Sequence, residues 1–269
     1  MEYMTKIIFS KYNGTGNDFI VIDNRESIVK ATASSLWARL CRPKFGIGAD
    51  GVLLLEKSTK ADFRMRYINA DGGEVEMCGN GSRVITCFAH EELGFNQDKY
   101  TFETMNAVYE SSPDKKWGYR IRMMELYDVN RFPVGHLIPS AHALYLNTGV
   151  PHCVFEVEDV NKYPVFLKGK EVRYNSLFEA GTNSNFFQMT PEGHIRIRTY
   201  ERGVENETLS CGTGATATAI ACAKFFNLKD EVILETNGGE LAVSFSPDFK
   251  EVFLCGKVEK IFEGSFEIP

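Results

Sequence analysis

The sequence predicts an α+β protein of two pseudo-symmetric domains, each a mixed β-sheet or barrel wrapped around a central helix. Three observations lead there. Short β-rich stretches outnumber helical ones along the whole chain. Two segments, Cys78-Gly79-Asn80-Gly81 and Cys211-Gly212-Thr213-Gly214, each set a cysteine before a glycine turn that opens onto small and apolar residues. The helix expected after the second turn has almost no polar stripe, the mark of a helix buried on every side.

In chain order, residues 7–12 and 19–23 are β-rich and read as strands. A short helix is expected over 34–41, stopped by Pro43, which has no N–H to continue the ladder. Strands follow at 52–56 and 63–69, with Ala70-Asp71-Gly72-Gly73 as a turn. Residues 79 to about 92 read as helix, ended by Gly94, with strands near 100–103, 107–110 and 117–123. The second half repeats this order loosely. Strands are expected near 143–147, 153–157, 185–189 and 194–200, then a helix over 212–226 and strands near 232–236, 240–245 and 252–255. Asn237-Gly238-Gly239 is a hairpin turn. Pro133, Gly135 and Pro139 put the division near residue 128, giving domains of 1–127 and 128–255.

Composition removes several function classes. A chain of 269 residues, 43% hydrophobic and 25% charged, is ordinary for a globular protein with a sizeable core. A net charge of −6 leaves no basic surplus for phosphates, so no nucleic-acid partner is expected. No apolar run reaches the ~20 residues of a membrane-spanning helix, and residues 1–6 lack a signal-peptide layout. Seven cysteines without regular spacing make no disulfide framework, so the expected location is a reducing cytoplasm. Cys-x-x-Cys, His-x-x-x-His, a P-loop and a full dinucleotide fingerprint are all missing from the sequence. Neither metal nor cofactor is expected, which restricts the chemistry to side chains.

A thiol at a helix start occupies an unusual electrical position. The free N–H groups and the positive dipole end favour the thiolate and lower its pKa. One such cysteine points to a nucleophile; Cys78 and Cys211, in matching halves, point to a pair of acid/base groups on opposite sides of a substrate. The other five, Cys41, Cys87, Cys153, Cys222 and Cys255, read as buried small hydrophobes.

Seven segments then resemble, in order, the diaminopimelate epimerase family. They are Gly14-Thr15-Gly16-Asn17-Asp18-Phe19, Asn69-Ala70-Asp71-Gly72, Glu76-Met77-Cys78-Gly79-Asn80-Gly81, Pro151-His152, Gly181-Thr182-Asn183, Glu201-Arg202-Gly203 and Cys211-Gly212-Thr213-Gly214. The resemblance spans about residues 10–220. It implies a pyridoxal-independent isomerase that interconverts L,L- and meso-diaminopimelate, in lysine and peptidoglycan precursor synthesis. It also implies a homodimer, and a final strand within 256–269 returning to the first domain. Inverting an α-carbon requires a proton to leave one face and another to arrive on the opposite face, a need that Cys78 and Cys211 meet as thiolate and thiol. The N–H groups of Gly79, Asn80, Gly212 and Thr213 are then placed to bind the α-carboxylate, where charge develops. The family pattern further implies Glu201 on the α-ammonium, Arg202 for charge and orientation, and His152 tuning a catalytic cysteine. Asn17, Asn69 and Asn183 match the asparagines that hold the remote amino-acid centre.

Plainer readings stand beside these. Asn17, Asn69 and Asn183 lie in turn-like sequence, where asparagine is favoured for backbone reasons. Glu201 could be a surface charge, and His152 a satisfied polar residue. A cysteine hydrolase would pair one cysteine with His152 and leave the matching contexts unexplained. A dithiol redox protein would use both cysteines. The chain also departs from the family pattern: the loop Glu201-Arg202-Gly203-Val204-Glu205-Asn206-Glu207-Thr208 is one residue longer, without its second glycine, and Val150 replaces an asparagine common before Pro-His. Both changes point to looser discrimination at the substrate's distal end, with glutamate a candidate for slow racemisation.

Overall fold

A computed structural model of the protein describes residues 4–268. The chain divides into two compact units: residues up to Ile121 together with those from Lys257 on, and Arg122–Gly256. This division precedes the expected boundary at 127/128 because of local pairing. The Met123 N–H donates to the Val252 carbonyl at 2.8 Å, and Tyr127 bridges to Asn147, so this segment is bonded to the second unit.

The first unit contains β1 (Thr5–Asn13), β2 (Asp18–Asp23), α1 (Ser34–Cys41), β3 (Gly51–Glu56), β4 (Phe63–Asn69), β5 (Glu74–Val75), α2 (Gly79–Glu91), β6 (Tyr100–Glu103), β7 (Val108–Asp114) and β8 (Gly118–Arg122). The second contains β9 (Ala143–Asn147), β10 (Pro151–Glu156), α3 (Val165–Arg173), β11 (Asn183–Met189), β12 (Ile195–Glu201), β13 (Asn206–Thr208), α4 (Gly212–Phe226), β14 (Glu231–Thr236), β15 (Gly239–Phe245) and β16 (Val252–Gly256). The pairing rules of the two are the same. In the first, β1–β2 is antiparallel, β2–β3 parallel, β3–β4 antiparallel, β4 pairs antiparallel with β5 and parallel with β6, and β6–β7–β8 is antiparallel. In the second, β9 to β16 repeat each of these relations in turn. The last strand, β17 (Glu259–Ile268), belongs to the first unit, where it runs antiparallel to β1 from Thr5↔Ile268 to Asn13↔Glu259.

Each unit closes its sheet around one helix. Residues Gly79 through Ala89 of α2 are all buried, as are nearly all of Gly212 through Ala223 in α4. Small side chains let strands approach α4 on every side, and Thr216 Oγ1 donates back to the Gly212 carbonyl at 2.9 Å. Helix α1 ends at Arg42, held extended by the following Pro43. Helix α4 ends with Asn227 in the left-handed region, φ 54°. Helix α3 is absent from the sequence expectations. Its Val-Phe start and internal Gly169 weaken the helical signal. The glycine is there for packing, since a Cβ would lie 2.2 Å from Tyr200 Cβ.

Candidate active site

In the first unit, Cys78 is the N-cap of α2, with extended backbone (φ −135°, ψ 122°). Its carbonyl accepts the Ser82 N–H at 2.8 Å. The N–H groups of Gly79, Asn80 and Gly81 precede that first helical bond and point out of the helix start. The loop before β2 is pressed onto this turn. A Cβ on Gly14 would meet Val84 Cγ2 at 2.9 Å and the Asn80 carbonyl oxygen at 3.1 Å. Thr15 takes a left-handed φ of 63°. Arg83, fully buried, clamps the loop by donating to Thr15 Oγ1 and Asn80 Oδ1, both at 3.0 Å. Asn17 is thereby brought to the half-buried Cys78, whose thiol donates to Asn17 Oδ1 at 3.5 Å, while Asn17 Nδ2 donates to Asp50. Asn69 ends β4 opposite Gly51, itself beside Phe19 on β2, and accepts from the Tyr67 hydroxyl at 3.4 Å.

The second unit repeats the arrangement. Cys211 caps α4 with φ −124° and ψ 110°, and its carbonyl accepts the Ala215 N–H at 2.8 Å. The Thr213 carbonyl is fixed by the Thr148 hydroxyl at 3.0 Å. His152 on β10 is opposite Asn183 on β11, and the Ser184↔Tyr200 register places Asn183 beside Glu201 on β12. Glu201 hydrogen-bonds to Cys211 and accepts from Thr208 Oγ1 at 3.0 Å. Burial nevertheless holds its carboxyl above the usual carboxylate range. His152 is fully buried; burial, and then the Arg202 charge, push it down to about 3, so the ring is neutral. Asn183 bridges backbone groups, donating to the Pro151 carbonyl at 2.9 Å and accepting the Arg202 N–H at 2.8 Å. The Arg202 guanidinium donates to the Ala180 carbonyl at 3.2 Å. The geometry thus gathers Cys78, Gly79, Asn80 and Asn17 in one unit, and Cys211, Gly212, Thr213 and Glu201 in the other. Among the described residues, no three His, Cys, Asp or Glu side chains cluster as metal ligands would.

A sequence model of diaminopimelate epimerase matches residues 9–124 and again 144–261. The chain belongs to the diaminopimelate epimerase family. It is 41% identical to the diaminopimelate epimerase of Flavobacterium psychrophilum over 258 residues, covering 94% of this chain and 97% of that one. It is 40% identical to that of Methanocella arvoryzae, covering 98% of each. This member of the diaminopimelate epimerase family is accordingly an isomerase. Two solved structures share the fold: a phenazine biosynthesis protein of the PhzF family from Bacillus anthracis (TM-score 0.75, 16% identity, 99% and 100% covered) and a hydroxyproline epimerase from Agrobacterium vitis (TM-score 0.67, 14% identity, 100% and 94% covered).

The loop that departs from the diaminopimelate epimerase pattern has its own anchor. Glu205 sits at φ 56°, a conformation glycine adopts freely, and Arg173 of α3 holds it through a pair of contacts at 3.0 Å. Gly203 N–H and the Tyr200 hydroxyl add bonds at 3.1 and 3.3 Å. Sequence reading missed Arg83, Thr208 and Asn185. The signal for Arg83 was an arginine inside an otherwise small and apolar helix; Asn185 carried none, because its partners lie on other strands. The remaining cysteines are buried thiols. Burial pushes Cys41 to about 11 and Cys87 and Cys153 to about 12, and Cys222 well above its usual value.

Proposed function

We propose that this protein interconverts L,L- and meso-diaminopimelate by a two-base mechanism, with Cys78 and Cys211 acting as thiolate and thiol on opposite faces of the α-carbon. The observation that carries this reading is the repeat itself: each unit sets a cysteine at the N-cap of its buried central helix, with matching backbone angles. At such a position the thiolate is favoured by the helix dipole and the unpaired N–H groups. The α-proton leaves to the thiolate, and the opposite thiol delivers its own proton, so the two exchange states each turnover. The N–H groups of Gly79, Asn80, Gly212 and Thr213 take the α-carboxylate and stabilise the developing charge, a task that needs no cofactor. Glu201 receives the α-ammonium. A cation beside it opposes the upward push of burial and favours the carboxylate form. Arg202 serves charge and orientation, and Asn17, Asn69 and Asn183 grip the substrate. In this reading the enzyme works as a homodimer in the cytoplasm and feeds lysine and peptidoglycan precursor synthesis.

A second reading, broader racemisation that includes glutamate, is favoured by Val150 and the Arg173-anchored Glu205 loop, which change the side chains available for a distal group. Proton NMR in D₂O with a reductant tests both, using L,L-diaminopimelate and L-glutamate in parallel. Deuterium at the α-carbon of diaminopimelate with formation of the meso isomer, abolished by Cys78→Ala and by Cys211→Ala, is the expected result. Exchange on glutamate as well establishes the broader reading. Exchange on neither by the reduced, folded protein sinks both and brings dithiol redox chemistry forward.

A further inference from the structure

The His152 ring is fully buried, and its Nε2 has no hydrogen-bond partner among the described residues. Its Nδ1 lies 3.1 Å from Asn185 Nδ2. A carbonyl decides which way that amide points. Asn185 Nδ2 also lies 2.9 Å from the Cys153 carbonyl oxygen, which can only accept, so the atom there must be the amide nitrogen. On its other side Thr199 Oγ1 donates to Asn185 Oδ1 at 3.0 Å. An amide nitrogen accepts nothing, so the facing His152 Nδ1 carries a lone pair and the ring proton sits on Nε2. The surrounding charges agree. Arg202 disfavours a second positive charge on the ring, and the adjacent Cys153 is a neutral thiol. Glu201 is two strands away on β12 and bonded to Thr208. A buried N–H without an acceptor is costly, which marks it as a group kept for a ligand. The same amide reaches the catalytic helix: a Cβ on Gly214 would lie 2.4 Å from Asn185 Oδ1 and 3.3 Å from Cys211 Sγ.

We propose that Asn185 is a positioning residue that holds His152 as the neutral Nε2–H tautomer, making the ring a hydrogen-bond donor to an anionic acceptor rather than a base. The acceptor, a substrate carboxylate or a cysteine thiolate, rests on the epimerase reading; the tautomer does not. Nitrogen-15 NMR of the histidine-labelled wild-type protein reads it directly. Between about pH 5.5 and 7.5, roughly one unit either side of the ordinary histidine value, Nδ1 is expected to stay pyridine-like and Nε2 pyrrole-like. A protonated Nδ1, or a ring that titrates in that range, overturns the proposal whether or not substrate is turned over. Saturating L,L-diaminopimelate that moves the Nε2–H resonance identifies the carboxylate. A shift already present without substrate and removed by Cys211→Ser identifies the thiolate. No movement in either arm overturns the donor role. Asn185→Asp puts an acceptor against Nδ1, and is expected to move the proton or charge the ring and to lower kcat/KM about 10- to 100-fold. A folded Asn185→Asp enzyme with unchanged tautomer and kcat/KM also overturns it. Absence of α-proton exchange with the tautomer as stated defeats the epimerase reading alone.

Discussion

Glu201 and His152 carry opposite pH dependences into the same unit. Glu201 titrates above its ordinary value in the fold, so the folded state holds the proton more tightly. Its contribution is present at low pH and lost as pH rises from the ordinary carboxylate range through the raised value. Glu201→Gln keeps an acceptor for Thr208 and removes that loss, so the variant is expected to gain stability on wild type as pH rises above the ordinary carboxylate range. Urea midpoints at several pH values check this. His152 does the reverse: buried neutral, it opposes acid, and stability falls as pH drops from 6.5 towards about 3. The slope from this group is about 1.4 kcal/mol per pH unit. His152→Gln, which cannot charge, is expected to flatten the acid limb of the same titration. Glu205 sets a steric term against an ionic one. Glu205→Ala keeps the left-handed backbone but loses Arg173, and is expected to cost about 1–3 kcal/mol. Glu205→Gly relieves the backbone and is expected to cost less, by thermal unfolding of both. If the glycine variant is the less stable of the two, the left-handed cost has been misassigned.

At the level of elements, the sequence was most legible where periodicity and boundaries agreed. The helices Ser34–Cys41 and Gly212–Phe226 and the strands Phe63–Asn69, Tyr100–Glu103 and Ala143–Asn147 have the bounds their composition indicates. The cysteines at the two helix starts were legible too, because a glycine turn before a helix with no polar stripe is a local pattern. Strands Glu74–Val75 and Asn206–Thr208 were not, since two or three residues carry no period and the pairing comes from β4 and β12. Val165–Arg173 was hidden by its glycine. Asn185 was unreadable for a different reason: its role is set by His152, Cys153 and Thr199, on strands that only the fold brings together. Gly169→Ala tests how tightly α3 is seated. With a Cβ 2.2 Å from Tyr200 Cβ, the variant is expected to lose about 1–3 kcal/mol in urea unfolding. A neutral result would mean that α3 can shift without cost.

On the scale of the whole chain, the repeat assigns equivalent positions that composition does not reveal. The registers Phe19↔Gly51↔Asn69 and His152↔Asn183, followed by Glu201, put Asn69 of one unit where Glu201 stands in the other. By the same correspondence Val150 occupies the position of Asn17, whose amide touches the Cys78 thiol. The two units therefore use one scaffold with different side chains at equivalent positions. Strand β17 breaks the repeat: the equivalent edge of β9 is met by an irregular segment through the Tyr127↔Asn147 bridge and not, among the described residues, by a full strand. A chain shortened after Gly256 leaves the outer edge of β1 unpaired, and is expected to pass to the insoluble fraction on expression. Co-expression of the segment 257–269 is expected to restore solubility; recovery of soluble, folded short chain without it would show that β17 is dispensable.

That closing strand also sets a timetable on the ribosome. The second unit is continuous from Arg122 to Gly256, so it has all its strands as soon as that stretch emerges. Strand β1 receives its last partner only when the residues up to 268 have been made, because Thr5 pairs with Ile268. At about 5–20 residues per second, that is a delay of roughly ten seconds to a minute. Throughout it, the backbone of β1 offers an open row of donors and acceptors to any neighbouring nascent chain. Lys6 is exposed on that strand, the kind of residue that discourages edge-to-edge pairing. Slow or stalled synthesis between residues 257 and 268 should therefore harm the yield of this protein more than stalling within the second unit.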